Sequence, residues 1–288
     1  DSFNPDDFYD LVAEQKITCT LIVPSMLYAL QGHPRYETAD MSSMETIIYG
    51  ASPMSPSKLS QAIRHWGKIF FQFYGQTEAP MVLAHLKKAD HDPDDLSILA
   101  SCGKPVAWMH VELLDEDNQP VERGQTGEIC TRGPLVTIGY KDMPAETAEA
   151  LSGDWLHTSD VGRFDEHGFL HIVDRTKDMV ITGGFNVYPR EVEDVLSSHK
   201  SVASVMVIGV PDEKWGEAVK ALVVLRPGIT PSEELVVELK TMVKEAKGSQ
   251  QSPKSIDFID ALPLTALGKP DKKAARSKYW TSTERAVS

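Results

Sequence analysis

The sequence predicts an α/β section continuous with an antiparallel β section, followed by a small α+β domain. Three observations carry that expectation. Helix and strand patterns alternate from residue 6 to about residue 74. From about residue 101 to 173 they give way to short strands parted by turns. After Arg175 a new set of strands and helices begins, with its own apolar faces. A length of 288 residues suits two domains at roughly 150 residues each. The expected division is 1–174 and 175–288.

In the first section, PDDFYDLVAEQ reads as a helix with Phe8, Leu11 and Val12 on one face. ITCTLIVP reads as a buried strand ended by Pro24, and SMLYAL as a short helix. METIIYG is a second strand, closed by Gly50. SPSKLSQAIRHW is a helix with Ser55 as cap and Pro56 at its first position. KIFFQFYG is a third strand, and the alternation predicts a parallel sheet. In the middle section, VAWMHVELLD, GEICTRG and HGFLHIVD read as antiparallel strands. In the last, DMVIT is a strand and YPREVEDVLSSH a helix facing inward with Val192, Val195 and Leu196. SVASVMVIGV and EAVKALVVL are strands. Thr230 to Glu233 reads as a capping box for a helix presenting Leu235, Leu239, Met242, Val243 and Ala246, with Gly248 beyond its end. SIDFID is a final strand and DKKAARSKY a final helix.

Composition excludes several classes. Net charge is −13, from 42 acidic and 29 basic residues, and Lys272–Lys273 is only a local pair. That argues against a nucleic-acid binder, which shows a basic stripe. No window approaches the ~20 apolar residues of a membrane span. Cys19, Cys102 and Cys130 are far apart and lack CxxC spacing, so buried reduced thiols in a cytoplasmic protein are expected.

Five segments carry possible chemistry. YGQTE (74–78) follows a strand, where ligands bind in α/β sheets; Thr77 offers a hydroxyl to phosphate and Glu78 a hard oxygen for magnesium. Asp160, ending GDWLHTSD, reads by itself as a turn carboxylate capping backbone amides, and alternatively suits a pair of ribose hydroxyls. DRTKD (174–178) crowds four charges at the section boundary, as a solvated linker or a ligand-touching hinge. Gly183 and Gly184 allow close backbone approach, or a plain hairpin. PLTALGK (263–269) presents Lys269 on a turn.

In that order and spacing, YGQTE, GDWLHTSD, DRTKDMVITGGFNVYPREVE and PLTALGK resemble the adenylate-forming superfamily. It contains acyl-CoA synthetases, peptide-synthetase adenylation domains and firefly-type luciferases. The likeness runs along essentially the whole chain and is greatest to acid–CoA ligases. It implies part of a large adenylate-forming domain followed by a small mobile C-terminal domain. The implied reaction joins a carboxylic acid, expected to be a fatty acid, to ATP as acyl-AMP, and then to coenzyme A. ATP, Mg²⁺ and coenzyme A are the implied substrates and cofactor. The resemblance assigns phosphate to Thr77 and magnesium to Glu78, and places Tyr74, Gly75 and Gln76 by the nucleotide. Gly50, Ala51 and Ser52 match the adenine loop, where the family more often shows a second glycine. Asp160 and Arg175 would hold ribose, Lys177 would be the hinge, and Gly183 and Gly184 would border the pantetheine tunnel. Lys269 would be the adenylation lysine.

The family also has a Ser/Thr/Gly-rich phosphate loop ending in lysine upstream of the YGxTE motif, and no such segment lies between Asp1 and Tyr74. The chain is therefore expected to be the rear portion of a ligase, open to self-association or to pairing with a front half. Other readings are a non-catalytic nucleotide- or CoA-binding fragment, half of a split enzyme, or another adenylate-forming enzyme. The chain alone is expected to form little acyl-AMP. Pyrophosphate release across a panel of fatty and aryl acids measures this, and robust turnover would overturn it.

Overall fold

The computed structural model describes residues 3–265 and 270–280, excepting the side chain of Thr176. It divides into two compact units, Asp1–Ile172 and Val173–Ser288.

The first unit opens with α1 (Pro5–Gln15), β1 (Cys19–Ile22), α2 (Pro24–Gly32), β2 (Thr46–Gly50), α3 (Pro56–Trp66) and β3 (Phe70–Gln76). A hairpin continues into β4 (Ala79–Leu86), followed by α4 (Leu96–Ala100) and β5 (Lys104–Pro105). The sheet order is β1-β2-β3-β4-β5. β1, β2 and β3 run parallel, but β4 and β5 are antiparallel, so the sheet is mixed rather than purely parallel. The two-residue turn after Gln76 causes this reversal, because it is too short for a crossover helix. α1 buries Tyr9 and Val12, while Leu11 is 54% exposed; the Tyr9 hydroxyl donates to the Leu30 carbonyl at 3.0 Å and rotates the helix that way. β1 is an edge strand with Cys19 exposed, which corrects the expected fully buried strand and buried thiol. Ser55 precedes α3 but gives no side-chain cap; its hydroxyl meets that of Ser57 instead.

The second part of this unit holds β6 (His110–Leu114), β7 (Gly127–Arg132), α5 (Pro144–Ala150), β8 (Leu151–Ser152) and β9 (Trp155–Phe164), and β10 (Leu170–Arg175) starts here and ends within the second unit's residues. Its order is β10-β9-β7-β6, with β8 beside β9. β9 is a ten-residue strand in the middle of the sheet that is absent from the strands expected from the sequence. The polar run His157–Thr158–Ser159–Asp160 hid it, because apolar alternation is the usual strand signal.

The second unit contains β11 (Val180–Thr182), β12 (Phe185–Val187), α6 (Pro189–Ser197), β13 (Val202–Asp212), β14 (Gly216–Leu225), α7 (Glu233–Lys247), β15 (Ser255–Phe258) and α8 (Lys272–Arg276). Its order is β12-β11-β14-β13, with β15 parallel to β14. Successive residues of β13 alternate faces: Val207 joins the cluster under α6 and α7, while Met206 and Ile208 join the one containing Ala275 of α8. Covering both faces explains why β13 reads as a continuous apolar run. The cap of α7 is Ser232, whose hydroxyl accepts from Leu235 N–H at 3.2 Å, and not the expected Thr230.

One buried polar pair ties the first sheet to the loop after β4. His91 is fully buried. Its Nδ1 lies 2.7 Å from the Lys87 carbonyl, so it donates there, and Nε2 accepts from the Tyr49 hydroxyl at 3.0 Å. Burial holds this imidazole neutral, with its pKa lowered from 6.5 to about 4. The unfolded chain therefore takes up a proton below about pH 6.5 that the folded chain refuses. The associated stability is present above that pH and is lost as pH falls toward 4. At about 1.4 kcal/mol per unit, roughly 2 kcal/mol disappears between pH 7.5 and 5. Urea unfolding at both values checks this. His91→Gln should be less stable at pH 7.5 and show a smaller loss; an equal loss would remove His91 as the cause.

Candidate active site

β2 and β3 are parallel neighbours, so their carboxyl ends fall on one edge of the sheet, the edge where α/β sheets bind ligands. Gly50 pairs with Phe73, and the candidate segments leave side by side: Gly50, Ala51 and Ser52 from β2, Tyr74 to Glu78 from β3. The approach is close. A Cβ on Gly50 would lie 2.5 Å from the Phe73 carbonyl oxygen. Ala51 follows at φ +65°, in the left-handed region that costs a non-glycine residue about 1–2 kcal/mol. Tyr74, Gly75 and Gln76 are the last residues of β3, and Thr77 and Glu78 form the hairpin turn. The motif is thus half strand and half turn, and the strand runs one residue past the expected KIFFQFYG segment. β4 bulges over Gly75, where Met81 has φ +69°, and a Cβ on Gly75 would sit 2.5 Å from the Met81 carbonyl carbon.

Asp160 is delivered by a bulge in β9 between the register pairs Glu128–Val161 and Cys130–His157. Ser159 sits at the bulge with φ +60°, and its N–H donates to Glu128 Oε1 at 2.8 Å. The Thr158 hydroxyl donates to the Ile129 carbonyl at 2.6 Å and accepts the Asp160 N–H at 3.1 Å. Asp160 is left 6% exposed, with Oδ2 accepting from the Tyr74 hydroxyl at 2.8 Å. Burial, and then the Asp160 charge, push the Tyr74 pKa far up, so the phenol keeps its proton and stays a donor.

Glu78 has a partner that sequence reasoning did not find. The Tyr140 hydroxyl donates to Glu78 Oε1 at 2.8 Å, and Thr137 N–H donates to the Glu78 carbonyl at 2.7 Å. The bond to Glu78 raises the Tyr140 pKa and keeps that phenol protonated too. Thr147 of α5 accepts the Tyr140 N–H at 2.9 Å and sets its position. Nothing local in the sequence marks a pairing across 62 residues. Glu128 was missed for the same reason.

The first unit therefore brings together the Gly50–Ser52 segment, Tyr74 to Glu78 and Asp160. Arg175, Lys177, Gly183 and Gly184 belong to the second unit. Arg175 caps a short 3₁₀ turn, Thr176–Asp178, and Lys177 is exposed on it. The buried Asp174 carboxylate accepts the N–H groups of Arg175 at 2.7 Å and of Arg190, in the first turn of α6, at 2.9 Å, where a negative charge complements the helix dipole. Arg276 of α8 donates to Asp178 at 2.6 Å. Gly183 and Gly184 form the two-residue turn between β11 and β12, at φ +58° and +82°, as a type I′ hairpin requires. Gly183 N–H donates to the Trp215 carbonyl at 2.9 Å, and a Cβ there would lie 2.5 Å from the Trp215 ring. Lys269 lies outside the described residues.

Residues 1–141 match the family described as AMP-binding enzyme, and residues 191–269 match the AMP-binding enzyme C-terminal domain. The chain is 52% identical to the medium/long-chain-fatty-acid–CoA ligase FadD8 of Mycobacterium tuberculosis, over 99% of this chain and 50% of that protein. It resembles the amide bond synthetase McbA of Marinactinospora thermotolerans at a TM-score of 0.90 and 37% identity, covering 96% of this chain and 55% of that one. It also resembles ATP-bound MatB of Rhodopseudomonas palustris at a TM-score of 0.87 and 31% identity, covering 97% and 54%. The chain spans about half the length of the curated relatives it matches.

The Tyr74–Asp160 bond yields a direct test. Tyr74→Phe deprives a buried carboxylate of a donor, and bonds to charged groups are worth about 1.5–3 kcal/mol. The variant should lose stability of that order in urea unfolding. A change below about 0.5 kcal/mol, the range of an ordinary surface substitution, would mean the bond contributes nothing net.

Proposed function

The chain belongs to the AMP-binding enzyme family, and from that premise we propose that it supplies part of the active site of an acid–CoA ligase. The reaction has two steps. A carboxylate oxygen attacks the α-phosphate of ATP, giving acyl-AMP and releasing pyrophosphate. The coenzyme A sulfur then attacks the acyl carbon, and AMP leaves. The identity to FadD8 favours a fatty acid as substrate.

The observation that carries this reading is the buried Tyr74–Asp160 bond beside the Gly50–Ser52 segment. It joins two motifs 86 residues apart at one sheet edge. In the proposed complex, Gly50, Ala51, Ser52, Gly75 and Gln76 surround the base. Tyr74 spends its one hydroxyl hydrogen on Asp160, so it orients that carboxylate. Asp160 and Arg175 bind the ribose hydroxyls. Thr77, exposed at the hairpin turn, donates to a phosphate oxygen.

Glu78 fits a magnesium ion by its chemistry. Mg²⁺ is commonly held by one or two carboxylates together with substrate phosphates. Tyr140 fixes one oxygen of Glu78 and so aims the carboxylate beside Thr77. When bound, the ion would neutralise charge building on the phosphates. Lys269 is proposed to do the same between carboxylate and α-phosphate. No general base is required, because the acid reacts already ionised. Lys177 on its exposed turn is the proposed hinge that withdraws Lys269 before the thiol enters, and Gly183 and Gly184 line the thiol's path. A second reading, transfer of the acyl group to an amine, is favoured by the likeness to McbA.

The test separates the half-reactions in the whole ligase. Lys269→Ala should lower acyl-AMP formation by at least about 100-fold, the scale of losing one charge-stabilising donor, while thioester formation from supplied acyl-AMP stays within a few fold. Equal loss in both steps would overturn the assignment. Replacing coenzyme A with an amine acceptor distinguishes the second reading.

A further inference from the structure

Behind the bulge that presents Asp160 lies a group of side chains that the proposed reaction does not use. Glu128 and Cys130 are two residues apart on β7, so the pleat puts both on one face. His157 of β9 is the register partner of Cys130. The Cys130 sulfur lies 3.4 Å from His157 Nδ1, and Nδ1 lies 2.7 Å from Glu128 Oε2. All three donor atoms fall within 4.8 Å of one another.

We propose that Glu128, Cys130 and His157 form a binding site for a zinc-class divalent ion, distinct from the magnesium position proposed at Glu78. The donor set argues for that class. Thiolate and imidazole suit zinc and its neighbours, whereas magnesium takes oxygen ligands. Metal–ligand bonds of about 2.0–2.3 Å in a tetrahedron hold donors roughly 3.3–3.6 Å apart. The sulfur–nitrogen spacing already meets that, and the carboxylate must open from Nδ1 by roughly 0.6–0.9 Å to match it. The His157 and Glu128 side chains remain 17% and 27% exposed, which gives an entry path and room for water as a fourth ligand.

The protons alone satisfy this cluster poorly. If Nδ1 carries hydrogen it donates to Glu128, and it then has no lone pair for the thiol. If Nδ1 offers its lone pair to the thiol, that lone pair also confronts a carboxylate oxygen at 2.7 Å. A cation at the shared point is attractive to all three groups. Cys130 is protonated without it, its pKa pushed up to about 12 by burial and then by Glu128. Binding therefore releases one proton from the thiol to solvent. Coordination through Nδ1 places the imidazole hydrogen on Nε2, a buried atom without a hydrogen-bond partner.

The site is coupled to Asp160 through one carboxylate. Glu128 Oε1 accepts the Ser159 N–H, and Oε2 faces the ion position. A metal on Oε2 leaves Oε1 on the bulge and pins the backbone one residue before Asp160.

Cobalt titration of the full 288-residue chain tests the site. The expected result is one Co²⁺ per chain, with tetrahedral visible absorption, a sulfur-to-cobalt charge-transfer band and about one proton released. Zn²⁺ should displace it, and a hundredfold excess of Mg²⁺ should not. Cys130→Ser should abolish the charge-transfer band and lower affinity at least tenfold, whereas Cys19→Ser, at the exposed thiol, should change neither. Metal-free melting of Cys130→Ser within a few degrees of the parent shows that it is folded; if it is not, His157→Gln is titrated in its place. Absence of stoichiometric binding at micromolar cobalt would overturn the proposal, as would a charge-transfer band that survives Cys130→Ser.

Discussion

The first unit is organised around a buried hydrogen bond between a phenol and a carboxylate. Tyr74 closes the parallel part of one sheet, and Asp160 sits at a bulge in the next. Both are nearly inaccessible, and a carboxylate out of water is costly unless donors surround it. That cost constrains what is built around it. Thr158 and Glu128 shape the bulge, Ser159 adopts a left-handed conformation, and Gly50 and Gly75 remain without side chains so that neighbouring backbones can close in. The strained positions Ala51 and Ser159 flank this arrangement, where strain is expected if geometry serves ligand binding.

The second unit solves a different problem, holding short turns onto a sheet buried on both faces. Charged groups do this. Asp174 caps α6, Arg276 pairs with Asp178, and Lys272 of α8 pairs with Glu193 of α6 at 3.0 Å. These pairs are mostly screened from water, so removing one partner alone would strand a buried charge. They fasten α8 to the turn that carries Lys177 and leave the Gly183–Gly184 hairpin tip open to solvent.

Much of this fold was legible in residue order because its signals are local. The α6 face through Val192 and Leu196, the continuous apolar runs of β13 and β14, and the end of α7 at Gly248 follow from periodicity, hydrophobic runs and capping. Failures occurred where a distant partner decided the outcome. Leu11 faces outward because Tyr9 reaches Leu30. β9 was hidden because its polar residues bond to Glu128 and Ile129 rather than packing as apolar alternates. Cys19 is exposed because β1 is at a sheet edge, a matter of strand order.

The candidate site divides in the same way. The sequence by itself determined the chemistry on offer: a hydroxyl and carboxylate at Thr77 and Glu78, a carboxylate at Asp160, paired glycines at 183–184, and a lysine at 269. Residue types and their short spacings are properties of the chain. Only the tertiary structure decided which groups meet. It assigned the Tyr74 hydroxyl to Asp160, supplied Tyr140 to Glu78, and gathered Glu128, Cys130 and His157 at one point. Those pairings cross 27 to 86 residues of chain and depend on strand register and on the bulge in β9. A one-residue shift of register would turn each side chain to the opposite face.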